Sequence, residues 1–271
     1  MTTDSNFKHI ANDSGFPLQI ALQQSVKTGT NMHQWNVHRA EHAWNNPADG
    51  KSGFIDLVVS RKDICVSLVI ECKRVKESTW VFMNSNGKSD DQQKAFRSWV
   101  SCYRNRTFTA FDWFDVNPNI SMPEAHFCAI RGQGTNDKNT LLERVAADLV
   151  SSTEALALEE RDYRRENFDS VSMYFNVLVT TAELVVTEFD PSDIALKDGT
   201  INEAKFRDVS YLQVRKQFSV RPIRLTAQDW EISNQPCNHR ENTVIVVRAD
   251  YFEKFLGNFY VPIENHHRFL R

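Results

Sequence analysis

Three ionisable side chains stand within a short apolar segment of the sequence. The segment 53–73, GFIDLVVSRKDICVSLVIECK, has the pattern of two apolar strands around a polar turn, yet it carries Asp56, Glu71 and Lys73. Charged side chains are seldom buried in a sheet unless they are paired with one another or bind a metal ion. These three residues are therefore the first candidates for chemistry.

The register of this hairpin predicts that the three charged side chains share one face. With a tight turn at the middle of the segment, Leu57 lies opposite Ile70 and Asp56 lies opposite Glu71. Directly opposed side chains have Cβ atoms roughly 4.5–5.5 Å apart, and Lys73, two residues after Glu71, projects from the same face. The other face is predicted to pack on a helix, and it consists of Ile55, Leu57, Val59, Leu68, Ile70 and Cys72.

Two opposed carboxylates repel each other, and partial burial strengthens the repulsion. Either a proton shared between Asp56 and Glu71 or a divalent cation placed between them would relieve it. Lys73 supplies a fixed positive charge, which favours the ionised form of both carboxylates. The pattern is therefore most consistent with a site for a hard cation.

Further residues are candidates for the edge of this site. If the polar turn between the first two strands is symmetric, Glu41 on the first strand lies opposite Asp56, although an exposed strand position is equally compatible with the sequence. Gln24, near the end of the first predicted helix, is a second candidate. Three cationic residues are candidates for phosphate contacts, although such runs are more often solvated faces: Arg74, Lys76 and Arg131.

The elements that must position these residues are predicted from periodicity and from Pro and Gly signals. The predicted segments are a helix near 17–29, a strand at 34–44, the hairpin, a strand at 124–132, a long helix over 139–160 and strand patterns at 174–189. The aromatic-rich stretch 93–115 is predicted to contain a short helix, and residues 190–271 mix strand patterns with one helix. This order indicates a mixed α/β fold with an antiparallel meander beside a helix-connected strand.

Asp56, followed fifteen residues later by Glu71-Cys72-Lys73 across a strand–turn–strand, resembles the D…(D/E)-x-K signature of the PD-(D/E)xK nuclease superfamily. Restriction endonucleases and Holliday junction resolvases belong to that superfamily. The resemblance implies a restriction-endonuclease-like core, a central mixed sheet flanked by helices in the order α-β-β-β-α-β. The sequence departs from the pattern because Phe54-Ile55 precede Asp56 without a proline, and because the first helix offers glutamines rather than a glutamate.

The chemistry that the resemblance implies is metal-dependent hydrolysis of phosphodiester bonds in DNA, with RNA left open. Mg²⁺, for which Mn²⁺ is expected to substitute, would be held by Asp56, Glu71 and the backbone carbonyl of Cys72, while Lys73 assists the attacking water. A role in defence against foreign DNA or in repair, and a homodimer, are compatible with the resemblance. Two alternatives stay open: a catalytically inactive nuclease-fold module that binds nucleic acid or a protein partner, and a phosphoesterase for small substrates.

Composition limits the other possibilities. The chain has 271 residues, 41% of them hydrophobic, and a net charge of −3, so no overall basic field indicates nucleic-acid binding. No apolar run suits a membrane span, the N-terminus lacks the core of a signal peptide, and five cysteines without a pairing pattern favour the cytoplasm. The predicted organisation is a loose arm at 1–15, a nuclease-like core at 16–190 with an insertion at about 76–136, and a C-terminal α/β extension at 191–271 packed on the core.

Overall fold

A computed structural model of the chain describes residues 3–76, 78–88, 91, 93–130, 140–164, 170–218 and 241–270. Within these residues the fold is mixed α/β, as predicted, with a central sheet of nine strands flanked by helices. The helices are α1 Thr3–Asp13, α2 Phe16–His33, α3 Leu141–Arg164, α4 Phe252–Asn258 and α5 Ile263–Leu270.

Fifteen strands are present in the described residues. The first eight are β1 Asn36–Asn46, β2 Lys51–Arg61, β3 Val66–Lys73, β4 Thr79–Met83, β5 Phe96–Arg104, β6 Thr107–Val116, β7 Glu124–Ala125 and β8 Phe127–Ile130. The others are β9 Ser170–Thr180, β10 Glu183–Glu188, β11 Ile194–Ala195, β12 Thr200–Ile201, β13 Lys205–Val209, β14 Tyr211–Lys216 and β15 Asn242–Arg248.

The central sheet is organised around β9. Its path is β1-β2-β3-β9-β15-β14-β7, and β5 pairs with β6 and with β9. One edge of β9 pairs in parallel with the whole of β3, from Val66 opposite Met173 to Lys73 opposite Thr180. The other edge is divided, because β5 pairs with its first half and β15 with its second half. The sequence of β9, SVSMYFNVLVT, is almost continuously apolar, as expected of a strand that is covered on both faces.

Helices cover the two faces of this sheet with separate apolar clusters. On one face, Leu22 and Val26 of α2 and Phe255 of α4 pack against β2, β3 and β9. On the other face, α3 contributes Leu149 and Leu156, among others, to a cluster with the same strands. The β1–β2–β3 meander therefore lies between α2 and α3, and its ends are held from both sides.

Two predictions about secondary structure are wrong. The stretch 93–115 forms the β5–β6 hairpin rather than a helix, and its turn residues Asn105 and Arg106 have φ values of 50° and 64°. Two successive residues with positive φ are typical of the tight turn whose twist matches paired strands, so the asparagine was the informative signal. The predicted loose arm at 1–15 contains helix α1, which ends before Gly15, where φ is 83°.

The predicted insertion and extension both contribute strands to the sheets. The insertion at 76–136 supplies β5 and β6 to the central sheet, and it supplies β4 and β8 to a second sheet of order β13-β10-β4-β8. Beyond residue 190, β13 belongs to the second sheet and β14 and β15 belong to the central one. None of the helices in the described residues has the length and apolar character needed to cross a membrane.

Candidate functional site

The predicted register of the β2–β3 hairpin is confirmed over the paired residues 57–61 and 66–70, and the predicted opposition of Asp56 and Glu71 lies just beyond them. Leu57 lies opposite Ile70, and the regular pairing of the two strands ends there. At the next position the backbone amide of Cys72 donates to Oδ2 of Asp56 at 2.7 Å. A carboxylate oxygen therefore accepts the hydrogen bond of a strand amide just beyond the paired region, next to Glu71.

The apolar face of the hairpin differs from the prediction at Ile55. Ile55 packs in the cluster on the α3 side instead of the α2 side. Ile55 still pairs with His42 of β1, but the β2–β3 ladder ends at Leu57, and β1 carries Glu41 with φ 49° between the partners of Ile55 and Leu57, so regular alternation is interrupted at Asp56. The other predicted members do face α2, with Cys72 only partly buried: Leu57, Val59, Leu68, Ile70 and Cys72.

The predicted pairing of β1 with β2 is also confirmed around the candidate acids. Ala40 lies opposite Leu57 and His42 opposite Ile55, so Glu41, between them, faces Asp56. Glu41 has φ 49°, in the left-handed region that non-glycine residues rarely occupy. Backbone strain of this kind is concentrated at functional sites and persists only where neighbouring contacts fix it.

Gln19 of α2 supplies those contacts. Its side-chain amide donates to the carboxylate of Glu41 and, at 2.8 Å, to the backbone carbonyl of Asp56. An amide NH₂ group carries two donors, so one buried side chain fastens α2 to both strands. The carbonyl of Asp56 and its carboxylate are thus both engaged in hydrogen bonds outside the regular ladder.

The structure brings Gln19, rather than Gln24, to the acidic residues. Gln24 is exposed, and its carbonyl accepts a hydrogen bond from the Thr28 hydroxyl within the helix. A sequence signal for Gln19 existed, because it stands in helical phase with the buried residues Leu22 and Val26. A polar side chain within an apolar stripe has to find a partner when it is buried.

The electrostatics of the site follow from burial and from the proximity of like charges. Burial raises the pKa of Glu71 to about 7, the charge of Asp56 adds to the rise, and Lys73 opposes it. Burial also raises the pKa of Asp56, against the hydrogen bond from Cys72 and the charge of Lys73. In the described part of the chain, Lys73 acts on both carboxylates through its charge rather than through an ion pair. Glu71 therefore keeps its proton up to about pH 7 unless a cation neutralises the pair.

A pocket of about 310 Å³ adjoins Glu71. We call it the hairpin pocket, and it is lined by Trp44, Lys51, Ser52, Gly53, Phe54, Glu71 and Asp148. Asp148 comes from α3 and forms an ion pair with Lys51 at 2.6 Å. Its charge also contributes to the raised pKa of Glu71. No sequence signal indicated Asp148, because a charged residue on a long helix is ordinarily a solvated one.

The oxygen donors suit a hard cation, although the described residues contain no group of three or more His, Cys, Asp and Glu side chains placed to hold a metal ion. Asp56 retains one carboxylate oxygen beside the one bonded to Cys72, and Glu71 supplies a second carboxylate. Burial raises the pKa of the Cys72 thiol well above its usual range, so only the backbone of Cys72 is available as a donor at neutral pH. Mg²⁺ is commonly bound by one or two carboxylates together with water and substrate oxygens.

Two of the cationic residues predicted to contact phosphate, Arg74 and Lys76, are neutralised by an ion pair in this structure. Asp13, the last residue of α1, pairs with Lys76 at 2.8 Å and with Arg74 at 3.3 Å. These two cations lie one and three residues after Lys73, where β3 ends. Arg131 lies outside the residues that the structure describes.

No protein-family model matches the chain, and neither the comparison with characterised proteins nor the comparison with solved structures found a significant similarity. Function must therefore be inferred from the geometry and electrostatics of the site itself.

Proposed function

We propose that the protein is a metal-dependent nuclease that hydrolyses phosphodiester bonds of DNA. The observation that carries the proposal is the pair Asp56 and Glu71 on neighbouring strands, where the pKa of Glu71 is raised to about 7. A buried pair of carboxylates with uncompensated charge is costly, and a strongly perturbed pKa beside a pocket is typical of functional sites. A divalent cation would remove the cost.

The fold supports a restriction-endonuclease-like core as part of this proposal. Helix α2 is followed by the antiparallel meander β1–β2–β3, and α3 then leads to β9, which lies parallel to β3 in the central sheet. This is the α-β-β-β-α-β order that the PD-(D/E)xK superfamily resemblance implies. In support of this proposal, Asp56 lies in the middle of β2, next to the point where its pairing with β3 ends, and Glu71 lies near the end of β3.

Each residue of the site has a definite role in this proposal. Asp56, Glu71 and the carbonyl of Cys72 would hold the ion, and Mg²⁺, when bound, supplies positive charge to the phosphate and to the water that attacks it. Lys73 donates hydrogen bonds to the attacking water and stabilises the charge that builds on the phosphate oxygens. Glu41, held by Gln19, adds negative charge at the edge of the site.

A second candidate is a catalytically inactive module that binds nucleic acid through the same fold. One specific observation favours it: an oxygen of Asp56 already accepts the amide of Cys72, which leaves fewer oxygens for a metal ion. The presence of Gln19, rather than a carboxylate, on α2 points in the same direction. The two candidates differ in one measurable property, the breaking of phosphodiester bonds.

The test is incubation of the protein with plasmid, linear duplex and single-stranded DNA in Mg²⁺, in Mn²⁺ and in EDTA. We expect cleavage in either metal and none in EDTA. Asp56→Asn, which keeps an acceptor for the Cys72 amide, and Lys73→Ala are each expected to lower the cleavage rate by at least about 100-fold, the cost of removing one charge-stabilising group.

Lys62→Ala is the matched control, because Lys62 is an exposed lysine in the turn at the other end of the same hairpin. It should cleave at the wild-type rate. Binding of DNA without cleavage in any metal would favour the inactive module. Turnover of small phosphodiesters but of no polymer would contradict the assignment of DNA as the substrate.

A further inference from the structure

A large aromatic side chain stands exposed beside the candidate catalytic acids. Phe54 is two residues before Asp56 on β2, about 7 Å along the strand, and 63% of its surface is exposed. A single exposed apolar residue is common on protein surfaces and does not by itself indicate a binding site. Phe54, however, lines the hairpin pocket together with Glu71, so its exposure belongs to a defined cavity.

The lining of the hairpin pocket also includes a buried aromatic side chain, Trp44. The indole of Trp44 is buried against Gly53 across the β1–β2 pair, and a Cβ atom at Gly53 would lie 3.3 Å from the indole nitrogen. The glycine therefore leaves room for the ring to lie close to the strand. The Lys51–Asp148 ion pair, at 2.6 Å, joins β2 to α3 at the same pocket.

This combination matches the chemistry of one base. An exposed aromatic ring offers a stacking surface for any base, and Glu71, on the lining of the same pocket, belongs to the site proposed for the metal ion. The pocket, about 310 Å³, is at the small end of the range for ligand sites, roughly 300–1,000 Å³. It has room for one unstacked nucleotide rather than for a duplex.

We infer that the hairpin pocket receives one unpaired base of a single strand of DNA, stacked on Phe54. A base within a duplex is stacked on both faces and cannot reach Phe54 without leaving the helix, so the pocket selects single-stranded or locally opened DNA. The net charge of −3 agrees with this choice, since long duplex contacts require more phosphate-neutralising cations. Such a base serves cleavage only if the adjacent acids form the nuclease site proposed above.

The test measures binding separately from cleavage. Fluorescence anisotropy with a short labelled single strand, its duplex and a free mononucleotide is recorded in Ca²⁺ without Mg²⁺. We expect Phe54→Ala to weaken single-strand binding by about 10-fold, as loss of one stacking contact should. Phe54→Trp is expected to retain binding, and duplex binding is expected to be weak and unaffected.

Phe206→Ala is the matched control, because Phe206 is a similarly exposed phenylalanine (65%) on β13 of the second sheet. Equal affinity of Phe54→Ala and wild type for the single strand would overturn the inference, and so would a mononucleotide that binds as tightly as the strand. If single-strand binding depends on Phe54 but no metal supports cleavage, the pocket stands and the nuclease proposal fails. If a metal supports cleavage and Phe54→Ala cleaves at the wild-type rate, the nuclease proposal stands and the inference about the pocket fails.

Discussion

At the scale of single residues, the placement of Glu71 beside Asp56 lowers the stability of the folded state at neutral and alkaline pH. Glu71 is placed next to Asp56 in a partly buried position, and its carboxylate finds no compensating ion pair in the described residues. Its raised pKa measures that cost, since the folded state resists the charged form of the side chain. Residues retained at such a cost usually serve function rather than folding.

Glu71→Gln should therefore stabilise the protein at alkaline pH. The folded protein holds the Glu71 proton up to about pH 7, whereas the unfolded chain releases it near its usual value of 4.5. Between these values the folded state binds more protons, so wild-type stability falls as pH rises and stays low above pH 7. The glutamine has no charge to bury, and the gain at pH 8 is expected to be on the order of 3 kcal/mol.

Urea unfolding in EDTA at pH 4.5 and pH 8 measures this effect. The variant and the wild type should be close at the acidic pH and diverge at pH 8, whereas Glu203→Gln, an exposed control, should follow the wild type at both. Mg²⁺ should raise the melting temperature of the wild type at pH 8 but not that of Glu71→Gln. A constant difference between variant and wild type across pH would show that Glu71 is not the titrating group.

At the scale of elements, buried polar contacts fix the meander against α3. The side chain of Asn46, at the end of β1, donates to the carbonyl of Ser151 at 3.0 Å and to the carboxylate of Glu154 at 3.2 Å. Trp113 of β6 donates to the same Glu154 at 2.9 Å. Because these polar groups are buried or half-buried, their geometry determines how α3, and Asp148 with it, approaches the hairpin.

Helix α1 is tied to the cationic end of β3 by Asp13, and this tie has a consequence for binding. Asp13→Asn should free Arg74 and Lys76, which Asp13 now pairs. We expect the affinity for DNA to rise by a few fold. We also expect the plot of log affinity against log salt concentration to steepen, since each freed cation that contacts a phosphate adds about one unit to its slope. Binding titrations at several salt concentrations test this expectation.

Asp4→Asn is the control for that change. It alters the net charge equally, but Asp4 stands in the first turn of α1, about 13 Å along the helix from Asp13. It should leave the salt slope as it is in the wild type. If both substitutions raise the affinity equally, general charge rather than the pairing at Asp13 is responsible.

At the scale of the whole molecule, β9 joins the predicted core to the predicted C-terminal extension within one sheet. The last half of β9 pairs with β15, and α4 with its following residues packs Phe252, Phe255 and Phe259 into the cluster beneath β3 and β9. Burial of each phenylalanine contributes roughly 1.5–3 kcal/mol, against a total stability of about 5–15 kcal/mol for a typical domain. Residues beyond 190 are therefore part of the central core.

Removal of residues 191–271 should abolish cooperative folding for this reason. It would unpair half an edge of β9 and expose Trp35 and Phe175, whose rings lie 6.2 and 5.1 Å from that of Phe259. Circular dichroism during heating is expected to show no sharp transition for the fragment. Deletion of 1–14, which removes the exposed helix α1, should instead preserve the transition. A sharp transition in the 1–190 fragment would mean that the predicted core folds alone.

Local rules were sufficient for the hairpin that carries the acids. The opposition of Leu57 and Ile70 was predicted from turn length and alternation, and the structure agrees. Glu41 opposite Asp56 was one of two alternatives, and the flanking pairs Ala40–Leu57 and His42–Ile55 favour it. The β5–β6 hairpin was missed because its turn signal, Asn105, stands within an aromatic-rich stretch. Helix α1 was missed because its side chains are mostly polar or exposed, so no buried apolar stripe marked it in the sequence.

The sequence by itself determined the acidic pair, since side-chain alternation and turn geometry act between residues that are close along the chain. Only the tertiary structure decided which distant groups complete the site. Gln19 reaches Glu41 and Asp56 from the preceding helix, and Asp148 arrives from α3, close to Lys51 and Glu71. Contacts of this kind depend on how helices pack across a sheet, and no spacing in the sequence encodes that packing.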